Sequence, residues 1–402
     1  MDSFLNNRIH FFDIVKEAAT KFGTPFYLYD EQRIILNVSR FKNIRYPQHS
    51  IHFATMANDN IVLLNILRRL EVGAFVNSLK HYHVALASGF SKHNIIYAST
   101  GLTPSLILEL GKSNIRLHLD SIEQVCAYGR LFPDSSIGVR INIQDRSQGR
   151  ISPAQSSRIG ILEDEFTELF AAANTYQLRI VGTHSYLGTN LRTTESMLEG
   201  VDEALRLSSA FTDLEYIDLG GGFPADNDSN AMFDFEEYAT AVSSLFHNYS
   251  LFRGRPIALI LEPGRAILSD AGFFCTRITE VKERPDRLIA MCDASVSIFP
   301  RPLINREFHP TRLLQTERDT QLAKKVDIAG STTFSNDYLA RDLQISHPSY
   351  GDLILFELAG SYCSSMMSRF LGQDRPPEIL YSRDGTLSLI SKQSENTCTS
   401  YK

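Results

Sequence analysis

The chain has 402 residues, of which 43% are hydrophobic and 21% charged, and its net charge is -6. This composition is typical of a globular protein with enough apolar residues for two cores, so we expect two domains. The acidic balance argues against nucleic acid or an anionic membrane as a partner, because both favour a basic surface. Small molecules and other proteins remain as partners.

The five cysteines are scattered and lack the spacing of a zinc site, so we expect no metal and no disulfide framework. The N-terminus lacks the pattern of a signal peptide, and no apolar run approaches the ~18 residues of a membrane span. We therefore expect a cytoplasmic protein with reduced thiols.

Residues 26–265 alternate short β-rich runs with longer helical patterns, which indicates parallel βα units. The strand-like runs lie at 26–29, 51–54, 74–76, 95–98, 115–119, 137–143, 178–181, 214–219 and 257–261. Their number is close to that of a barrel, so we predict a (β/α)8 barrel of the TIM type. Residues 1–25 are predicted to join a second domain.

Residues 266–395 show strand-like runs separated by polar turns, at 273–281, 288–292, 353–356 and 387–390. Such a pattern predicts a C-terminal antiparallel β domain. Residues 396–402 are expected to form a tail.

Two motifs follow successive barrel strands. Gly220–Gly222 offers main-chain amides that can converge on a phosphate, although a simple tight turn explains the same glycines. Glu262 and Arg265 end the next strand, where a carboxylate can meet a pyridine nitrogen and a guanidinium can bind phosphate; a surface ion pair is the alternative. In the second domain, Tyr362 can donate to a phosphate oxygen or be a half-buried tyrosine on a strand.

Together these motifs resemble the fold type III pyridoxal-phosphate decarboxylases, which act on diaminopimelate, ornithine and arginine. The resemblance spans residues 22–384 and is carried by segments 22–30, 182–189, 220–224, 262–265, 301–302, 330–332 with Asp337, and 360–362 with Met366. It implies a barrel with a β domain, pyridoxal 5'-phosphate as cofactor, an amino-acid-like substrate and a homodimer with shared active sites.

The resemblance implies that the cofactor half of the site is intact. Residues implied in binding the phosphate are Gly220, Gly221, Gly222, Arg265, Thr189 and Tyr362. Glu262 would meet the pyridine nitrogen, and Arg301 would bind a substrate carboxylate.

The catalytic half departs from the family. The changed positions, each with the family's usual residue, are Met56 (lysine), Phe75 (aspartate), His81 (glutamate), Tyr186 (a histidine that stacks on the cofactor), Thr333 (a proton-donating cysteine from the partner subunit), Phe334 (an acid that recognises a distal amine) and Asn305 (a substrate-contacting tyrosine). The phenol ring of Tyr186 can still stack on the cofactor.

Met56 is the most consequential departure, because the lysine at this position holds the cofactor covalently and shuttles a proton in the family. A thioether can do neither, so the cofactor would bind non-covalently or as an adduct with substrate. Three explanations of Met56 are open. It is an engineered replacement, it is a natural loss of the lysine, or a different lysine such as Lys80 serves in its place.

The predicted function is decarboxylation of an amino acid or amino-acid conjugate in a specialised biosynthetic pathway, impaired by Met56. Arg301, Arg306 and His309 suggest an anionic group on the substrate. One alternative is a non-catalytic family member that binds a ligand or regulates an active relative. Another is racemisation or ring formation on the same cofactor.

Overall fold

The computed structural model describes residues 2–143, 157–225, 232–315 and 325–391, with side chains from residue 11 on. These residues divide into two compact units, one formed by residues 35–267 and the other by the segments before and after it. The predicted tail at 396–402 lies outside the described residues. None of the described helices has both the length and the apolar character that a membrane span requires.

The chain opens with helix α1 (Asp2–Phe22) and strand β1 (Phe26–Asp30). The barrel strands follow as β2 (His49–Ala54), β3 (Gly73–Val76), β4 (Ile95–Ala98), β5 (Arg116–Leu119), β6 (Ser136–Ile141), β7 (Arg179–Ser185), β8 (Tyr216–Asp218) and β9 (Ala258–Leu261). Each pairs in parallel with the next, and β2 pairs with β9, so that these strands close into a barrel. The predicted barrel is confirmed.

Helices alternate with the strands. They are α2 (Glu31–Lys42), α3 (Ile61–Arg69), α4 (Leu79–Ala87), α5 (Pro104–Lys112), α6 (Ile122–Leu131), α7 (Phe166–Thr175), α8 (Thr194–Ser208), α9 (Phe235–Arg253) and α10 (Arg265–Leu268). Side-chain oxygens cap several of their N-termini: Asn60 accepts from the amide of Val62, and Ser78 accepts from that of His81. Such caps satisfy amides that the first helical turn leaves unpaired.

The second unit contains one sheet with strands β10 (Gly272–Glu283), β11 (Arg287–Cys292), β12 (Thr311–Leu314), β13 (Lys325–Ala329), β14 (Tyr338–Leu343), β15 (Leu353–Phe356), β16 (Glu378–Tyr381) and β17 (Leu387–Ser391), and the short helix α11 (Arg301–Ile304). The strand order is β14-β13-β11-β10-β1-β16-β17, with β15 pairing both β10 and β12. Most pairs are antiparallel, as predicted, but β1–β16 and β11–β13 are parallel.

The prediction of 26–29 as a barrel strand is wrong, because β1 lies in this second sheet. It pairs antiparallel with β10 and parallel with β16. All four residues of 26–29 are completely buried, and a strand buried on both faces has the continuous apolar sequence that is also typical of barrel strands. Helix α1 packs on this sheet through Ile14, Val15 and Ala18, which share a core with Phe26 and Leu28.

Candidate active site

The glycine turn Gly220–Gly222 follows β8 at the C-terminal end of the barrel. Its first and third residues have φ of +66° and +100°, in the region that favours glycine. A Cβ on the three residues would lie 2.5, 2.7 and 2.8 Å from the main-chain oxygens of Ser185, Glu262 and Gly188. Side chains are therefore excluded from all three positions, which leaves a main-chain surface of the kind that binds phosphate.

The same turn is joined to the end of β9. The amide of Glu262 donates to the carbonyl of Gly220 at 2.7 Å, and the amide of Gly220 donates to Asp218 Oδ1 at 2.9 Å. Arg265, three residues after Glu262, begins α10 and is partly buried. The structure thus brings together the two motifs that were predicted to bind the cofactor.

Asp218 and Glu262 form a buried pair of carboxyl groups. Burial raises the pKa of Asp218 from 3.8 to about 6, and burial together with the charge of Asp218 raises the pKa of Glu262 well above 4.5. One oxygen of each carboxyl group lies within 4.8 Å of the other, so charge on one disfavours charge on the other. Of the two, Glu262 has the stronger tendency to carry a proton, because the charge of Asp218 adds to the effect of its own burial.

Two buried histidines extend this cluster. His184 Nε2 lies 3.4 Å from Glu262 Oε2, and its ring lies 4.9 Å from that of His118 and 5.5 Å from that of Phe75. Burial, reinforced by the nearby charge of Arg140, lowers the pKa of both histidines well below 6.5. Both rings are therefore neutral, and Phe75 fills space beside His184 without contributing charge.

A metal ion is the other group that such a cluster can bind. Among the residues that the structure describes, His118, Asp218 and Glu262 offer one ligand atom each within 4.8 Å of one another. His118 Nε2 is also hydrogen-bonded to Tyr216 Oη at 3.0 Å.

Tyr186 and Thr189 lie in the loop that follows β7. Tyr186 is partly buried, Thr189 is exposed, and their hydroxyl groups are hydrogen-bonded. The guanidinium carbon of Arg140 lies 6.0 Å from the centre of the Tyr186 ring, and Arg140 Nη1 lies 3.9 Å from Asp120 Oδ1. The sequence reasoning missed Arg140, although a charged residue within the apolar strand β6 was a usable signal.

Met56 occupies the turn Thr55–Ala57 directly after β2. Its partly buried side chain packs against an apolar cluster inside the barrel that includes Phe75 and Ile96. Lys80 does not substitute for the missing lysine here: its Nζ lies 2.7 Å from Asp59 Oδ2 and its side chain is 68% exposed. The structure therefore argues against the third explanation of Met56.

His81 belongs to the same helix as Lys80. Its Nδ1 lies 2.9 Å from Asn77 Oδ1, and its amide donates to the Ser78 hydroxyl at the start of α4. These contacts give His81 a local role at the helix N-terminus.

The other predicted site residues lie in the second unit. Arg301 is buried, forms an ion pair with Glu307 and lies with its guanidinium carbon 5.5 Å from the centre of the Tyr362 ring. Tyr362 has φ of +58°, an uncommon conformation for a residue with a side chain. Asn305 is exposed and caps α11. The structure thus brings Arg301 and Tyr362 together.

Thr333 and Phe334 lie in the loop 330–337, which Asp337 organises. The buried carboxylate of Asp337 accepts hydrogen bonds from the amides of Val296, at 2.8 Å, and Thr332, at 3.1 Å. Thr333 is exposed, whereas Phe334 is partly buried. Asp337 therefore holds the loop that presents both predicted residues.

Arg306 and His309 were interpreted as contacts for an anionic group. Arg306 is exposed, and His309 is buried with Nδ1 2.9 Å from the carbonyl oxygen of Glu357. At that distance Nδ1–H donates to the carbonyl, so this nitrogen of His309 has a structural role.

Residues 31–269 match the pyridoxal-binding domain of the pyridoxal-dependent decarboxylases. Because this match covers more than half of the chain, the protein belongs to that family. It is 28% identical over 398 residues to the diaminopimelate decarboxylase of Methanothermobacter thermautotrophicus, covering 94% of this chain and 91% of the relative. The corresponding enzyme of Aquifex aeolicus is 27% identical over 401 residues, with the same coverage of 94% and 91%.

Solved structures of pyridoxal-dependent decarboxylases have a similar fold. Diaminopimelate decarboxylase from Helicobacter pylori, complexed with L-lysine, has a TM-score of 0.84 and 25% identity, covering 94% of this chain and 96% of that one. The arginine decarboxylase of Paramecium bursaria Chlorella virus shares the fold, with a TM-score of 0.79 at 18% identity and coverage of 95% and 100%. The predicted family, its fold and its pyridoxal cofactor are confirmed.

Proposed function

We propose that this protein is a pyridoxal-phosphate-dependent decarboxylase of an amino acid or amino-acid conjugate in a specialised biosynthetic pathway, with turnover impaired by Met56. The observation that carries the proposal is the glycine turn, which is hydrogen-bonded to the main chain of Glu262 on the same barrel as Met56. Diaminopimelate decarboxylases that are similar over more than nine-tenths of this chain support the reaction class.

Pyridoxal phosphate fits the residues at this end of the barrel. The amides of Gly220–Gly222 would bind its phosphate together with Arg265, Thr189 and Tyr362. Tyr186 would present its ring face to the pyridine ring. The bound cofactor supplies an electron sink for the bond that breaks at the substrate's α-carbon.

Glu262 would hold or release a proton opposite the ring nitrogen. The neighbouring Asp218 favours a proton on Glu262, because two adjacent buried carboxylates cannot both be charged at low cost. Both neighbouring histidines have lowered pKa values, so they do not compete for this proton. Glu262 would transfer the proton to the ring nitrogen and, as a carboxylate, stabilise the positive charge there.

Met56 removes the amine that would otherwise hold the cofactor and move a proton at the α-carbon. A positioned acid or base typically contributes a factor of about 100 to 10,000 to the rate. We expect this form to bind the cofactor without covalent attachment, or as an adduct with substrate, and to turn over at least that much more slowly.

The test is Met56→Lys, with Met232→Lys as control because Met232 is 79% exposed on the same unit. Pyridoxal phosphate should remain on Met56→Lys through gel filtration, and borohydride should fix it to residue 56 as seen by peptide mass. Carbon dioxide release from a panel of amino acids should rise in this variant alone. Chiral analysis of the products distinguishes racemisation from decarboxylation. Cofactor binding to neither wild-type nor Met56→Lys protein would refute the proposal.

A non-catalytic regulator is the second candidate. The packing of Met56 against the apolar cluster with Phe75 favours it, because both residues suit a site without a lysine. Such a protein should capture an active decarboxylase in a pull-down. Its Met56→Lys variant should bind no cofactor. The engineered and natural explanations of Met56 both remain open, and the residue encoded by the native gene distinguishes them.

We also infer a homodimer, with the exposed Thr333 contributed to the partner's site. Sedimentation velocity should give a dimer, and mixing Met56→Lys with a Thr333→Arg variant should yield heterodimers with altered activity. Cys126, Cys275 and Cys292 form no disulfide, which suits the reducing cytoplasm that we propose as its location.

A further inference from the structure

Glu307 neutralises the arginine that was predicted to bind a substrate carboxylate. The Arg301 side chain is 3% exposed, and its guanidinium is ion-paired with the Glu307 carboxylate, which is 26% exposed. A guanidinium this deeply buried needs a partner charge, since an unpaired one is strongly unfavourable. Within this chain, Glu307 supplies it.

The local backbone explains how Glu307 reaches back. Helix α11 ends at Ile304, Asn305 caps it, and Arg306 takes a left-handed conformation with φ of +50°. The chain reverses there, so that the amide of Glu307 donates to the carbonyl of Arg301 at 3.4 Å. The ion pair is thus built into the helix end and does not depend on a loose side chain.

The side chain at position 334 is uncharged as well. Phe334 packs edge-on against Phe370, with ring centres 5.4 Å apart and an angle of 81°. The nearest acid in its loop, Asp337, is buried and committed to the amides of Val296 and Thr332. This loop therefore presents an apolar ring pair where a cationic substrate group would need a carboxylate.

We propose that Glu307 is a specificity residue, and that the site takes amino acids with an uncharged side chain. An anionic side chain would have to displace Glu307 from Arg301. A cationic one would meet Phe334, which like Thr333 would be contributed by the partner subunit, without a counter-charge. Arg301 lies against Tyr362, the residue of the same unit that the resemblance assigns to the cofactor phosphate. The inference rests on the proposed function and replaces the interpretation that Arg301 binds an anionic substrate group.

The test measures binding by calorimetry, without turnover. The probes are the reduced phosphopyridoxyl conjugates of norleucine, lysine and 2-aminoadipate, with pyridoxine 5'-phosphate as reference for the cofactor site alone. The proteins are wild type, Glu307→Ala, Glu307→Gln and the double variant Arg301→Met/Glu307→Ala. Glu280→Ala, an exposed acid of the same unit, is the matched charge control.

Wild-type protein should bind the norleucine conjugate most tightly. Removing the Glu307 charge should strengthen binding of the 2-aminoadipate conjugate by about tenfold or more, the scale of a buried charge gaining a partner. The double variant and Glu280→Ala should show no such gain. Glu307→Gln keeps the size and hydrogen bonding of the side chain, so it carries the test if Glu307→Ala unfolds.

Three results would overturn the inference in distinguishable ways. If pyridoxine 5'-phosphate binds but both Glu307 variants keep the wild-type ranking, Glu307 does not set specificity. If wild-type protein prefers the lysine or the 2-aminoadipate conjugate, the uncharged substrate class is wrong. If pyridoxine 5'-phosphate binds to none of the proteins, the proposed function fails and this inference fails with it.

Discussion

The glycine turn offers a matched pair of substitutions in one unit. Gly220 and Gly254 both have φ of +66°, but a Cβ on Gly220 would lie 2.5 Å from the carbonyl oxygen of Ser185, whereas a Cβ on Gly254 would have no atom within 4 Å. Alanine at either position therefore carries the same backbone strain. Only at Gly220 does it also collide with the strand end that shapes the proposed phosphate site.

The expected magnitudes follow from this difference. Left-handed strain costs about 1–2 kcal/mol in the free energy of unfolding, and Gly254→Ala should lose that amount. Gly220→Ala should lose a further ~1–3 kcal/mol, because the clash with main chain must be relieved by backbone movement. A shift of the turn by about 1 Å would weaken cofactor binding by up to about 100-fold, whereas Gly254→Ala should bind the cofactor like wild type.

Urea unfolding of both variants and fluorescence titration with pyridoxal phosphate measure these two quantities. Circular dichroism before titration ensures that only folded protein is compared. Equal losses of stability in Gly220→Ala and Gly254→Ala, together with unchanged cofactor affinity in both, would refute the steric account of the glycine turn.

Two further predictions concern buried acids. The pKa of Asp218 is raised from 3.8 to about 6 in the folded state. Between these two pH values the folded protein therefore binds more protons than the unfolded chain. Asp218 consequently contributes less to stability as the pH rises through this window. Urea unfolding without cofactor should show this decline in wild type and a shallower one in Asp218→Asn, where buried Glu262 remains, and a parallel pH dependence would contradict it. Asp337→Ala should lower the free energy of unfolding by about 2–4 kcal/mol, since the buried amide of Val296 and the partly buried amide of Thr332 lose their acceptor. Asp342→Ala, at a side chain 54% exposed, is its control, and equal losses would contradict the role of Asp337.

The barrel and the cofactor half of the site could be predicted because their signals are local. Gly220–Gly222 directly follows a strand, and Glu262 directly follows the next one, so chain order alone places both at one end of a parallel barrel. The misplaced strand β1 shows the limit of this reasoning. The apolar sequence of β1 predicts that the strand is buried. Its pairing partners are more than 200 residues away in sequence, and the sequence of the strand itself does not indicate them.

The buried pair of carboxyl groups, Asp218 and Glu262, could not be predicted for a related reason. Asp218 is paired with Ile260 across β8 and β9, and this register brings its carboxyl group to Glu262. A sequence shows two acids at strand ends but not their distance. Glu307 lies only six residues after Arg301, yet its contact depends on the left-handed conformation of Arg306, which arginine rarely adopts and no neighbouring residue announces.

Neighbouring residues hold the turn that presents residue 56. The Thr55 hydroxyl donates to the carbonyl of Phe75 at 2.9 Å, the amide of Asn58 donates to the carbonyl of Thr55 at 3.1 Å, and Asn60 caps the next helix. Lysine and methionine codons, AAG and AUG, differ in a single base. A point mutation at this codon can thus remove or restore the covalent attachment of the cofactor in one generation, while the scaffold that would receive it is inherited unchanged.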